Sequence, residues 1–202
     1  MTCGRQYGVE LDFGRYEQAR AAALVDLKRH PDLDHDEEIW IEFTERIVQG
    51  MGGEPPASHE VAVELTSRWQ RHENFELYDD VQPVLRQLRE EAVKIGLVSN
   101  SARDVQEFAR HHALAVDAGI SSFHHGKTKP HASIFRAVLD LLEVEPQDAV
   151  MVGDTVADDI DGARAIGMHA ILVDRLGLYP GYEPRLDDLR ALPGLLRSLH
   201  SG

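Results

Sequence analysis

The chain has 202 residues, 43% of them apolar and 28% charged, a balance that suits a globular fold and excludes a disordered one. Its net charge of −14 repels phosphate backbones and anionic membranes, so nucleic acid and membrane are excluded as main partners, and an anionic substrate must be held by a local site. A single cysteine, Cys3, allows no internal disulfide. No apolar run suits a signal peptide or a bilayer span, so a cytoplasmic protein is expected.

Residues 13–72 follow a helical period throughout. Tyr16, Ala19, Ala23 and Leu27 form one apolar stripe, Trp40, Phe43 and Ile47 a second, and Val61, Leu65 and Trp69 a third. Breaks fall at His30-Pro31 and between Gly50 and Pro56. The pattern predicts a small helical domain over residues 1–78, with Trp40 and Trp69 in its core.

From Asp79 onward strands alternate with helices. An amphipathic helix carrying Val81, Val84, Leu85 and Leu88 leads into an apolar strand at 93–98. A helix with Val105, Phe108 and His112 follows, then an extended segment at 118–123. After it come a helix with Ile134, Phe135, Val138 and Leu142 and a strand at 149–152 that ends in Gly153-Asp154. A helix at 160–165 leads to the last strand, 170–173. This alternation predicts an α/β domain, a Rossmann-like parallel sheet covered on both faces, over residues 79–202.

Ligands of such sheets sit beyond the carboxyl ends of the strands, and three strand ends carry polar groups there. Ser99-Asn100-Ser101 offers a hydroxyl and backbone N–H groups to an anion, although either serine would also serve as a helix cap. Lys129-Pro130 sets a point charge on a fixed turn, where a lone lysine is otherwise a solvated surface residue. Asp154, Asp158 and Asp159 present the hard oxygens that Mg²⁺ prefers, although acidic residues also suit a helix start. His124, His125 and His131 flank Lys129; they read either as solvated loop residues or as groups that hold a transition metal or act as general base. Cys3, near the terminus, reads as incidental.

In this order the three strand ends resemble the later motifs of the haloacid dehalogenase-like (HAD) phosphatases. The run Asp159-Ile160-Asp161-Gly162-Ala163-Arg164-Ala165-Ile166-Gly167-Met168 and the pairing of Lys129-Pro130 with Ile134-Phe135 carry the same resemblance, and the helical segment before them resembles that family's cap. The resemblance implies a small phosphorylated substrate, Mg²⁺ or another divalent metal, phosphate binding by Ser99, Asn100 and Lys129, and metal binding by Asp154 with Asp158 and Asp159. Catalytic roles fall to Asp154 and Asp159, with His124 and His125 as further candidates.

The family opens on a strand ending in a nucleophilic aspartate, whereas here the cap-like helices come almost at once. Asp12, in Val9-Glu10-Leu11-Asp12-Phe13-Gly14, lacks a strand before it and reads as the cap of the next helix. An altered hydrolytic mechanism is therefore expected; the alternative is a non-catalytic phosphate- or partner-binding protein on the same fold, a pseudoenzyme or truncated phosphatase. The sheet is expected to lack its first strand. The strands ending in Ser99 and Gly153 must then pair directly, borrow a strand, or leave facing edges, and a homodimer is expected to cover them.

Overall fold

The computed structural model describes residues 8–25, 27 and 30–200, so Cys3 lies outside the described residues. The chain divides into two compact units, 1–74 and 75–202.

The first unit is helical, with α1 (Tyr16–Val25), α2 (Glu37–Gly50) and α3 (Ala57–Trp69). Asp12 caps the 3₁₀ turn Phe13–Arg15, accepting the Gly14 N–H at 2.9 Å, as its position before the first helix predicts. Asp36 caps α2 in the same way. One stripe of each helix is buried: Ala19, Ala23, Phe43, Ile47 and Met51 pack into one cluster bordered by Leu27 and Trp40, and Val9, Val48 and Val61 into another. A Cβ added at Gly50 would lie 2.7 Å from the Ala19 Cβ, so α1 and α2 approach where no side chain intervenes. Trp69 departs from expectation. It is the last residue of α3 and 40% exposed, because the stripe it continues ends with the helix.

The second unit is α/β. It runs α4 (Val81–Glu90), β1 (Gly96–Ser99), α5 (Val105–His111), β2 (Ala118–Ser121), α6 (Ser122–His125), α7 (Ala132–Leu142) and β3 (Val150–Gly153). A π-helical turn (Val156–Asp161) and α8 (Gly162–Arg164) then lead to β4 (His169–Val173), β5 (Arg185–Leu186) and α9 (Leu192–His200). Every strand pair is parallel. β4 alternates between two cores: Ala170 and Leu172 join Ile134, Phe135, Leu139 and Ile160, whereas Ile171 joins Val84, Leu88 and Leu192. A strand buried on both faces reads as the continuous apolar run seen in the sequence.

The sheet is split. β1 pairs with β2, β3 with β4 and β4 with β5, and among the described residues no ladder joins β1 to β3. Both halves nevertheless line the same cores, since Val98 and Ile120 pack with Met151 on one face and Ile95 and Val116 with Val150 and Val152 on the other.

Four details depart from the sequence reading. β1 starts at Gly96 rather than 93, because the end of α4 takes up the preceding residues: Ala92 has φ 58° and the Val93 N–H bonds back to the Leu88 carbonyl. β2 stops at Ser121, whose hydroxyl caps α6. The helix after β3 is π-helical over Val156–Asp161 before it becomes α-helical. β5 and α9 carry too short a signal to have been expected.

Candidate functional site

Lys129 lies in the loop between α6 and α7 and is 9% exposed. Its ammonium donates to the Val98 carbonyl at 3.3 Å and to Asp159 Oδ1 at 2.5 Å. The other oxygen of Asp159 accepts the Thr155 N–H at 3.0 Å. The π-helical turn carries Asp159 back against the end of β3, where a Cβ on Gly153 would lie 2.4 Å from its carboxylate. Glycine at 153 is what admits the aspartate. Val98 precedes Ser99 near the end of β1, so Lys129 spans from one half of the sheet to the other and places both carboxyl ends on the same side.

Asn100, the residue after β1, grips the main chain of Lys129 from both sides. Its Oδ1 accepts the Lys129 N–H at 2.7 Å, and its Nδ2 donates to the Lys129 carbonyl at 3.0 Å. The Ser99 hydroxyl donates to Ser101 Oγ at 3.0 Å. Asp154 is exposed at the end of β3 and accepts from the Thr155 hydroxyl at 3.4 Å, while Asp158 is buried. A chain of contacts thus links Asn100, Lys129, Asp159, Thr155 and Asp154, with Ser99 adjoining its first member.

The flanking histidines are held by serines. His124 Nδ1 is 2.9 Å from Ser121 Oγ, and His125 Nε2 is 2.7 Å from Ser133 Oγ. His131 caps α7, its Nδ1 accepting the Ser133 N–H at 3.2 Å. Burial, together with the nearby His131, pushes the His125 pKa below the usual imidazole range.

The carboxylates fit a hard divalent cation in part. Asp154 is exposed and at a strand end, but both oxygens of Asp159 already take hydrogen bonds from Lys129 and Thr155. Among the described residues, the group of three metal-ligating side chains with donor atoms within 4.8 Å of one another is elsewhere, at His30, Asp32 and Asp34 of the first unit. Those residues are exposed or half-buried.

One polar cluster had no signal in the spacing of the sequence. The Asp80 side chain is fully buried before α4 and takes both oxygens to Arg175 (2.8 and 3.1 Å) and one to the Leu189 N–H (2.7 Å). Burial raises its pKa, but these hydrogen bonds outweigh it and hold the carboxyl below its usual range. Partners so far apart in the chain leave no local pattern.

The sequence profile of the haloacid dehalogenase-like hydrolases matches residues 7–167. The chain belongs to that family. It is 28% identical to a phosphoserine phosphatase of Thermus thermophilus, over 93% of this chain and 84% of that protein. It is 30% identical to a ribulose-1,5-bisphosphate 5-phosphatase of Halopiger xanaduensis, over 78% of this chain and 77% of that protein. The crystal structure of a HAD phosphatase from Thermococcus onnurineus superposes with a TM-score of 0.62 at 26% identity, covering 96% of this chain and 85% of that one. The family and the phosphatase type expected from the strand-end motifs are borne out, and the chain is a HAD hydrolase of the phosphatase type. No helix among the described residues is long and apolar enough to cross a membrane.

Proposed function

We propose that this HAD hydrolase cleaves a small phosphate ester beyond the carboxyl ends of β1 and β3. The observation that carries the reading is Lys129, a buried ammonium held between the two halves of the sheet beside Ser99. In this reading Ser99 and Lys129 hold the phosphoryl oxygens, Asp159 aims the lysine, and Asp154, with Asp158 behind it, offers carboxylate to Mg²⁺. A hard cation held there would neutralise phosphoryl charge and polarise the phosphoryl oxygens as a Lewis acid. His124 and His125, tied to Ser121 and Ser133, brace the Lys129 loop. The helical first unit takes the part of the family's cap, the protein works in the cytoplasm, and a homodimer covers the facing strand edges.

We further propose that water attacks phosphorus directly: its oxygen forms the new P–O bond, the P–O bond to the ester oxygen breaks, and the departing alcohol takes up the proton that the water gives. Asp12, the first aspartate of the chain, caps a 3₁₀ turn and pairs with Arg15 at 3.2 Å. The test is turnover of p-nitrophenyl phosphate with Mg²⁺, with rapid quench of labelled substrate. Asp154→Ala is expected to lower the rate by orders of magnitude, and no phosphoenzyme is expected. A trapped aspartyl-phosphate restores the family's ordinary route. Phosphate binding without turnover makes the chain a binding protein.

A further inference from the structure

We infer that Asn100 is a positioning residue that sets Lys129, and does not itself contact the phosphoryl group. The inference rests on the phosphate reading of Ser99 and Lys129. Asn100 spends its amide on the main chain: the carbonyl oxygen accepts from the Lys129 N–H at 2.7 Å and the NH₂ donates to the Lys129 carbonyl at 3.0 Å. Both bonds go to one residue and flank it, as in a strand pairing, so they fix its position and its orientation together.

The split sheet makes that clamp consequential. In a continuous sheet the distance from the end of β1 to the end of β3 is carried by backbone ladders, and among the described residues no ladder joins these two strands. Lys129 makes the crossing instead. Its main chain is fastened to Asn100 at the end of β1, and its ammonium reaches Asp159, which lies against Gly153 at the end of β3. A lysine stem has four flexible carbons, so an unclamped backbone would let the ammonium occupy many positions. Phosphoryl oxygens need the ammonium and the Ser99 hydroxyl at one fixed spacing, and Asn100, bonded covalently to Ser99, supplies it.

The experiment titrates inorganic phosphate and orthovanadate, with Mg²⁺, into the full chain and into Asn100→Ala, Asn100→Ser and Lys129→Ala. Melting temperature and amide hydrogen exchange at residue 129 are followed in parallel. The clamp predicts a protected Lys129 amide that loses protection in both Asn100 variants. It also predicts phosphate affinity weakened about tenfold in those variants at a melting temperature near that of the parent, and lost in Lys129→Ala. Asn100 variants that bind phosphate as the parent does would overturn the inference and leave the phosphate site standing. So would a Lys129 amide that exchanges freely in the parent, a result that needs no folded variant. A parent chain that binds neither anion removes the phosphate reading, and the inference falls with it.

Discussion

Each unit contains a carboxylate gripped by a basic side chain and by serine or backbone donors, and the two grips do different things. In the first unit Glu45 of α2 receives the Ser58 hydroxyl (3.2 Å) and the Gln49 amide (3.0 Å) and pairs with His59 at 2.9 Å, lacing α2 to α3 beside an open groove that alanines of α1 and polar residues of α2 line. In the second, Asp159 grips Lys129 where strands of both half-sheets end. His59 is half-exposed, whereas the Lys129–Asp159 pair is buried, and water screens the first and not the second. The comparison teaches that residue type alone does not make a site. A charge becomes chemically useful where the fold both strips it of water and aims it at the strand ends.

Removing one partner from each grip breaks the comparison most sharply. Asp159→Ala leaves a buried ammonium without its carboxylate and is expected to cost about 3–5 kcal/mol in denaturant unfolding, along with all measurable turnover. His59→Ala is expected to leave both nearly unchanged. Equal losses in the two variants would mean that burial does not separate the grips.

The two tight glycines sharpen it next. Gly50→Ala drives a methyl to 2.7 Å from the Ala19 Cβ and is expected to cost about 1–3 kcal/mol, with kcat kept wherever the protein stays folded. Gly153→Ala drives one to 2.4 Å from Asp159 and is expected to lower kcat by more than its loss of stability explains, because the displaced carboxylate releases Lys129.

Acidity should act on the units in opposite directions. The His125 pKa lies below the ordinary 6.5, so as pH falls from 6.5 the unfolded chain takes up the proton first and stability drops until the depressed pKa is passed. His59, its hydrogen bond to Glu45 outweighing burial, is raised above 6.5, so its contribution is full below 6.5 and is lost as pH rises through the raised pKa. His125→Gln should flatten the stability curve below pH 6.5 and His59→Gln just above it, each read from urea midpoints. A reversal of either limb would contradict the assigned environments.

The smallest effect is expected at Asp12. Asp12→Ala removes an exposed cap and should cost about 1 kcal/mol or less with kcat unchanged.

Some of this was legible without coordinates. Apolar periodicity marked the helices of the first unit and the buried strands of the second, since a stripe at period 3.6 or a short apolar run follows directly from which backbone shape hides it. Gly153-Asp154 stood out because strand ends in parallel sheets collect polar groups, and Lys129-Pro130 because it sets a point charge on a turn, although that turn joins two helices and not a strand end; the order of those motifs pointed to the family that the profile match bears out. Other features depended on where distant residues meet. The Asn100 grip on Lys129 spans 29 residues, the Asp80–Arg175 pair spans 95, and neither separation leaves a repeating pattern. The sequence marked Asp154, Asp158 and Asp159 alike as acidic, yet the π-helical turn buries Asp158 and Asp159, gives Asp159 to the lysine and leaves Asp154 exposed. Local composition determines which backbone forms and which face is apolar. Only tertiary packing decides which of several like charges loses its water, and that loss separates a buried lysine–carboxylate bridge from a solvated surface residue.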